Sequence, residues 1–255
     1  MKINYPIRFE RNYHPALWGG ESWEISVHSV GPSIVANGEM AGKGLNELIP
    51  EFPLLIKVIE AKSRLSVQVH PNEETRKLTG GDPKTEMWCM LADGFIYAGL
   101  KTGVTAAEVA EAVKSGEFEK LMVRHDAKKG DCFFIPGGLV HAIGDNARIY
   151  EVQQNSNTTF RLYDWNRVGA DGKPRQLHVK EGSLAIDYSL EAPQAVEAVK
   201  CAFFDFKKLM LKTGETVAAP SVTVVFDVER EQSTLVPEGV EYKVEHDGEY
   251  FITRY

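Results

Sequence analysis

The stretch GDCFFIPGGLVHAIGD, residues 130–145, decides the fold that the sequence predicts. Gly130 favours a tight turn, and the apolar residues after it are typical of a strand whose alternate side chains face a core. Pro136 and Gly138 then bend the chain. We expect this corner to end the strand and to direct His141 inward, where an imidazole is suited to bind a metal. For an isolated histidine, the alternative is a hydrogen-bonded core residue.

Short strands extend from this corner in both directions. Apolar residues with a period of two, separated by Gly, Pro, Asn and Asp turns, are typical of an antiparallel β-sandwich or barrel. The sequence therefore predicts a mainly β protein with few helices. The predicted strands are 54–61, 65–71, 86–93, 94–100, 132–138, 148–154, 158–165, 221–229, 240–248 and 249–255.

The clearest helix signal covers residues 105–122. Thr105 is suited to be an N-cap, and Glu108 three residues later completes a capping box. Gly116 is expected to divide the segment into two pieces. The shorter predicted helices are 44–48 and 179–187.

One domain boundary is predicted at the polar, proline-containing segment 189–194. Residues 1–188 then form the larger domain, with the helical segment near 105–122 as an insertion. Residues 189–255 form a smaller C-terminal β unit.

The composition excludes several classes of partner. The net charge is −7, from 36 acidic and 29 basic residues that are well mixed. Nucleic-acid binding would need clustered Lys and Arg, whereas a few converging basic groups are enough to bind a small anion such as a phosphorylated substrate. No apolar run approaches the length of a membrane span. We expect a cytoplasmic protein that binds neither nucleic acid nor membrane; the number of chains that assemble is left open.

The three cysteines, Cys89, Cys132 and Cys201, are not in paired spacing. Each is expected to pack as a small core residue with a free thiol. A sparse, odd cysteine count of this kind is typical of a reducing cytosol.

Candidate metal ligands lie upstream of His141. Gln68 and His70 are two residues apart in a strand pattern and therefore share a face. Glu86 begins another apolar run, from which its carboxylate can reach inward. His70 and Glu86 would be costly to bury together without a shared cation, whereas Gln68 has the alternative of bonding to a neighbouring backbone. Imidazole, carboxylate and amide ligands suit zinc, one ion per chain, with iron and manganese as alternatives.

Ordered motifs carry a resemblance to a known family. The spacing of the corner resembles the second motif of the cupins, with Asp145 where that family usually has Asn. LSVQVHPNEE, PKTEMWCML, GDCFFIPGGLVHAIG and EVQQNSNTTFRLYDWNR resemble, in this order, successive motifs of the type I mannose-6-phosphate isomerases, particularly their short bacterial form. The resemblance extends from about Trp18 to Asp187.

The resemblance implies both a fold and an activity. The fold is a cupin-type antiparallel β-barrel, or jelly roll, followed by a shortened second cupin-like unit. The activity is that of a zinc-dependent aldose–ketose isomerase, which interconverts mannose 6-phosphate and fructose 6-phosphate through an enediol or enediolate.

The resemblance also implies roles for individual residues. Isomerisation needs a base to move a proton between C1 and C2, and positive charge where an oxyanion develops. A guanidinium can bind either an enediolate or a phosphate, so an active-site arginine can have either role. The implied metal ligands are His70, Glu86, His141 and Gln68; the active-site arginine is Arg161, the pocket lysine is Lys84 and the proton carrier is Glu151.

Each implied role has an alternative. Arg161 can instead pair structurally with Asp164 or Glu151, and Lys84 can be a solvated turn lysine. For the whole chain, the alternatives are another metal-dependent enzyme on the same scaffold, acting on sugar phosphates or as an oxygenase, and a non-catalytic sugar-binding or regulatory cupin. The shortened C-terminal unit is the feature that favours the non-catalytic alternative.

Overall fold

The computed structural model describes residues 3–169 and 172–255. β-Strands are the main regular elements of these residues, and they pair in antiparallel fashion, as β5 does with β10 and β6 with β11. The strands of the first part of the chain are β1 Ile7–Arg8, β2 Tyr13–Ala16, β3 Gly19–Ile25, β4 Leu54–Ala61, β5 Val67–Val69, β6 Glu86–Met90, β7 Gly94–Leu100, β8 Met122–Ala127, β9 Cys132–Ile135, β10 His141–Ile143, β11 Arg148–Gln154 and β12 Phe160–Tyr163.

Seven further strands, four α-helices and the 3₁₀-helices Gly38–Met40 and Phe118–Leu121 complete the described elements. The strands are β13 Ala198–Lys200, β14 Asp205–Leu211, β15 Thr216–Ala218, β16 Thr223–Asp227, β17 Gln232–Val236, β18 Glu241–Lys243 and β19 Gly248–Arg254. The helices are α1 Leu45–Leu48, α2 Arg76–Thr79, α3 Ala106–Ser115 and α4 Val179–Ala185. None of these helices has the length and apolar composition needed to cross a membrane.

The strands form four sheets. One five-stranded sheet has the order β12-β5-β10-β7-β8, and a six-stranded sheet has the order β2-β3-β4-β11-β6-β9. A second six-stranded sheet has the order β1-β17-β16-β19-β14-β13, and β15 pairs with β18. The sequence-based prediction of a mainly β, antiparallel protein is therefore confirmed.

One core joins inward side chains of the first two sheets. Trp88 on β6 and Ile149 on β11 belong to it, together with Ile96 on β7 and Ile143 on β10. All four are almost fully buried. Because their alternating neighbours point the other way, each sheet presents one face to this core.

Residues cluster into two compact units. One unit comprises residues 14–21 and 58–195, and contains all residues predicted to form the site. The other comprises residues 1–13, 22–57 and 196–255, so it includes N-terminal segments that the sequence analysis assigned to the larger domain. Within this second unit β1 pairs with β17, with Ile7 opposite Leu235. The domain boundary after residue 188 stays a prediction.

Several element boundaries were predicted correctly. The segments 54–61, 94–100 and 148–154 are strands over their whole predicted length. In α3, Thr105 Oγ1 accepts a hydrogen bond from the Glu108 backbone N–H, and Glu108 Oε2 accepts one from the Thr105 N–H. Gly116 ends this helix in a left-handed conformation, as its predicted dividing role requires.

Other boundaries were wrong. β5 covers only Val67–Val69 instead of 65–71, and Pro71 has no N–H to donate to a ladder. β18 ends at Lys243, although the prediction continued to residue 248. The next residues turn away, because Asp247 accepts hydrogen bonds from the Thr213 backbone N–H and hydroxyl. The short helix α2 was not predicted.

The expectation of three free thiols is also wrong. Cys89 and Cys132 lie directly opposite each other on β6 and β9 and form a disulfide. Cys201 is a free thiol. The cysteine count therefore no longer supports a reducing compartment, and the cytoplasmic location stays a prediction.

The corner before His141 is held by close backbone contacts. The Gly138 N–H donates to the His70 carbonyl at 2.8 Å, and the Gly138 carbonyl accepts from the Asp187 N–H at 3.0 Å. Gly138 has a φ of +97°, and a Cβ added there would lie 2.8 Å from Asp187 Cβ. Only glycine meets both demands without strain.

Gly138→Ala is expected to destabilise the protein more than Gly103→Ala. Gly103 also has a positive φ, of +82°, but a Cβ there meets nothing within 4 Å. Both changes carry a backbone penalty of about 1–2 kcal/mol, and the contact with Asp187 adds about 1–3 kcal/mol at Gly138 alone. Urea unfolding of both variants measures the difference. Equal losses would contradict a packed corner.

Candidate metal centre

Strand ends bring three candidate ligands together. His70 directly follows β5, Glu86 is the first residue of β6, and His141 is the first residue of β10. Each side chain is at most 1% exposed. Strand β10 begins as soon as the chain has turned at Gly138, so the corner sets where the imidazole of His141 lies.

The three side chains present one ligand atom each to a common point. His70 Nε2 lies 3.3 Å from Glu86 Oε1, and His141 Nε2 lies 3.7 Å from Glu86 Oε2. All three ligand atoms lie within 4.8 Å of one another. Tetrahedral ligands about 2.0–2.2 Å from a zinc ion lie roughly 3.4 Å apart. The spacing therefore fits a small divalent cation.

Both histidines have the tautomer that metal binding needs. Nδ1 of His70 lies 2.8 Å from the Thr158 carbonyl, and Nδ1 of His141 lies 2.8 Å from the Leu139 carbonyl. A carbonyl can only accept, so each Nδ1 carries the hydrogen and each Nε2 keeps its lone pair. In the described part of the chain, His141 Nε2 has no hydrogen-bond partner.

Burial keeps the two imidazoles neutral. Burial, together with the nearby ammonium of Lys84, lowers the pKa of His70 to about 3. Burial also lowers the pKa of His141. Since protons do not compete for either Nε2 near neutral pH, the cluster is chemically suited to hold zinc, iron or manganese.

Lys84 lies inside this cluster. Its Nζ is 2.6 Å from Glu86 Oε1 and 3.4 Å from His70 Nε2, and the residue is 6% exposed. Burial alone would raise the pKa of Glu86, but the ammonium of Lys84 outweighs this effect and holds it well below the usual value. Glu86 is therefore an ionised carboxylate, and the alternative of a solvated turn lysine is wrong.

The strand register places Gln68 and Arg161 beside the cluster. Gln68 lies opposite His141 across β5 and β10, and opposite Arg161 across β5 and β12. Residues that face each other in antiparallel strands share a face of the sheet. Gln68 is therefore on the face that carries His141, although its role as a ligand stays a prediction.

The Arg161 guanidinium is held at two of its nitrogens. Nε donates to Ser66 Oγ at 3.2 Å, and Nη1 donates to the Gln176 carbonyl at 2.9 Å. Among residues 3–169 and 172–255, it makes no ion pair with a carboxylate, contrary to the alternative that Asp164 or Glu151 pairs with it. Burial, and next the charge of Arg175, lower the pKa of Arg161.

Asp164 is occupied by two other arginines. Arg175 donates to both of its carboxylate oxygens, and Arg167 Nη2 donates to Oδ1 at 3.1 Å. Asp164 is buried, and its charge also acts on Arg161, although the two make no direct ion pair. Sequence reasoning missed this group, although the three arginines lie within fifteen residues.

Glu151 is linked to the cluster through an indole. Its Oε2 accepts a hydrogen bond from Trp88 Nε1 at 2.8 Å, and the residue is 3% exposed. The Trp88 ring meets the His141 ring edge to face, with centroids 5.1 Å apart. Sequence reasoning did not predict this hydrogen bond, which depends on the pairing of β6 with β11.

Known proteins with similar sequences are sugar-phosphate isomerases. The family model "Phosphomannose isomerase type I, catalytic domain" matches residues 17–87. The mannose-6-phosphate isomerase ManA of Bacillus subtilis is 36% identical over 249 residues, covering 80% of this chain and 78% of the relative.

The chain belongs to the type I mannose-6-phosphate isomerases.

Two further members of this aldose–ketose isomerase family are similar to this chain, one in sequence and one in fold. A mannose-6-phosphate isomerase of Streptococcus mutans is 33% identical over 208 residues, covering 69% of this chain and 66% of the relative. The crystal structure of the mannose 6-phosphate isomerase from Bacillus subtilis has the same fold, with a TM-score of 0.79, 24% identity, and 98% and 99% of the two chains covered. The predicted resemblance is thus confirmed.

Chelation is expected to lower the thermal stability of the protein, and zinc is expected to restore it. A metal at 1,000 times its Kd stabilises the folded state by about 4 kcal/mol. In His141→Ala, chelation and zinc should no longer change the unfolding temperature, and the variant should bind less metal. Thermal unfolding and metal analysis measure these two effects. His125→Ala is the matched control, because His125 bonds to the Ala98 carbonyl outside the cluster. A His141→Ala variant with normal metal content would contradict this assignment.

Proposed function

We propose that this protein is a zinc-dependent isomerase that interconverts mannose 6-phosphate and fructose 6-phosphate through an enediol or enediolate. The observation that carries the proposal is the buried cluster of His70, Glu86 and His141, in a chain of the type I mannose-6-phosphate isomerase family. The named relatives act on this sugar phosphate, and the arginines around Asp164 supply cations suited to an anionic substrate.

His70, Glu86 and His141 would hold the metal, with Gln68 as a further ligand. A bound zinc ion supplies a Lewis acid that polarises sugar oxygens and lowers the free energy of developing negative charge. The contacts of Thr158 and Leu139 with the two imidazoles keep the ligand atoms oriented. Zinc is favoured because two imidazoles and one carboxylate form a borderline ligand set.

The chain's own groups carry the proton transfer. Glu151 would take the proton from C2 of the aldose and return it to C1, since it is a buried carboxylate fixed by the Trp88 indole. Lys84, next to Glu86, would donate to a sugar oxygen as it gains negative charge. Arg161 would bind the second anionic group, which is either the enediolate or the phosphate.

Turnover is expected to depend on the metal. Protein as purified should convert mannose 6-phosphate to fructose 6-phosphate, lose this activity on chelation, and regain it with zinc. Parallel reconstitution with iron and with manganese identifies the metal that gives the highest kcat/KM. An absence of turnover in folded, zinc-loaded protein would overturn the proposed function for this substrate, and glucose 6-phosphate serves as the comparison sugar phosphate.

Arg161→Ala is expected to lower kcat/KM by about 10²–10³-fold, because a preorganised donor to a developing anion is lost. Its metal content should not change. A loss mainly in kcat assigns the guanidinium to the enediolate, whereas a loss mainly in KM assigns it to the phosphate. Arg124→Ala is the control, since Arg124 is an exposed partner of Asp126. A loss below threefold for Arg161→Ala would contradict its role.

A further inference from the structure

Gln153 is a buried amide beside the metal cluster. It is fully buried and lies opposite Glu86 in the register between β11 and β6. Facing residues of antiparallel strands share a face, with Cβ atoms about 4.5–5.5 Å apart. The Gln153 side chain therefore lies on the inward face of the sheet, next to the carboxylate of the cluster.

The main chain fixes the orientation of this amide. Gln153 Nε2 donates to the carbonyls of Gln154 and Ser156, at 2.9 Å each. Both hydrogens of the amide nitrogen are thereby used, and a flipped amide would place Oε1 against two carbonyl oxygens. Oε1 is thus a permanent acceptor, and among the described residues it has no hydrogen-bond partner. Buried acceptors are normally paired.

The neighbouring groups of the cluster do not supply the missing donor. Glu86 is an ionised acceptor, and Nε2 of both histidines is a lone pair. The Lys84 ammonium lies 2.6 Å from Glu86 Oε1 and 3.4 Å from His70 Nε2, and it makes no hydrogen bond to Gln153 Oε1. No described residue donates to Gln153 Oε1, so this acceptor is available to a bound molecule, and hydroxyl groups are the donors that a sugar offers.

We infer that Gln153 positions the substrate by accepting a hydrogen bond from the hydroxyl at C3 or C4 of the sugar. This inference rests on the proposed function. The oxygens at C1 and C2 alternate between hydroxyl and carbonyl during isomerisation, so a fixed acceptor would repel one of the two forms. The oxygen at C5 has no hydrogen in the ring form of either sugar, and the phosphate at C6 is itself an acceptor. The hydroxyls at C3 and C4 remain donors throughout the reaction.

Substrates that lack one hydroxyl test the inference. Wild-type protein is assayed with mannose 6-phosphate and with its 3-deoxy and 4-deoxy forms, which keep the reacting carbons. One deoxy substrate should lose roughly tenfold in kcat/KM, the value of one hydrogen bond. With mannose 6-phosphate, the kcat/KM of Gln153→Met should fall by a similar factor, and its metal content should not change. With that deoxy substrate, the kcat/KM of this variant should fall no further.

Gln154→Met is the matched control. Gln154 carries the same amide on the neighbouring residue, where its Oε1 accepts from the Thr85 N–H at 2.9 Å. In Gln154→Met, kcat/KM should fall on removal of the hydroxyl by the same factor as in wild-type protein. If Gln153 only holds the main chain, removal of the hydroxyl lowers the kcat/KM of Gln153→Met by the wild-type factor too, and the inference is overturned.

The remaining outcomes also decide. Equal kcat/KM values for all three substrates in wild-type protein overturn the inference while leaving the isomerase function intact, even if Gln153→Met does not fold. Loss of metal from Gln153→Met would make Oε1 a metal ligand and likewise overturn it. If zinc-loaded wild-type protein does not convert mannose 6-phosphate, the proposed function and the inference fail together.

Discussion

The burial of one ionised carboxylate constrains the whole site. Glu86 is fully buried, and an isolated charge in such surroundings is very unfavourable. Its charge is balanced by the ammonium of Lys84, which lies 2.6 Å from Oε1, while His70 and His141 reach it from two other segments of the chain. A buried charge is destabilising when one of its partners is removed. The corner at Gly138 and the ends of β5, β6 and β10 therefore have to be placed together.

The metal cluster was the part of the site that sequence could predict best. Gln68 and His70 share a strand, and the corner determines the direction of His141, so short-range geometry was sufficient. The contacts of Arg161 and Glu151 were predicted less well, because they depend on which strands are neighbours. The order β12-β5-β10 and the pairing of β6 with β11 are set by packing over long distances in sequence.

The same distinction applies to the fold. The segments β4, β7 and β11 were predicted to the residue, since each is a short, mostly buried run bounded by turn residues. The disulfide between Cys89 and Cys132 was missed, because 43 residues separate the cysteines and only the strand register brings them together. The part played by N-terminal segments in the second unit was missed for the same reason.

The pairing of β1 with β17 has a consequence for synthesis on the ribosome. Leu235, the partner of Ile7, is made 228 positions after it. At about 5–20 residues per second, the N-terminal strand waits roughly 11–46 s for its partner. During that interval Ile7–Arg8 has none of its hydrogen bonds with β17, and this sheet is completed only after β17 has been made.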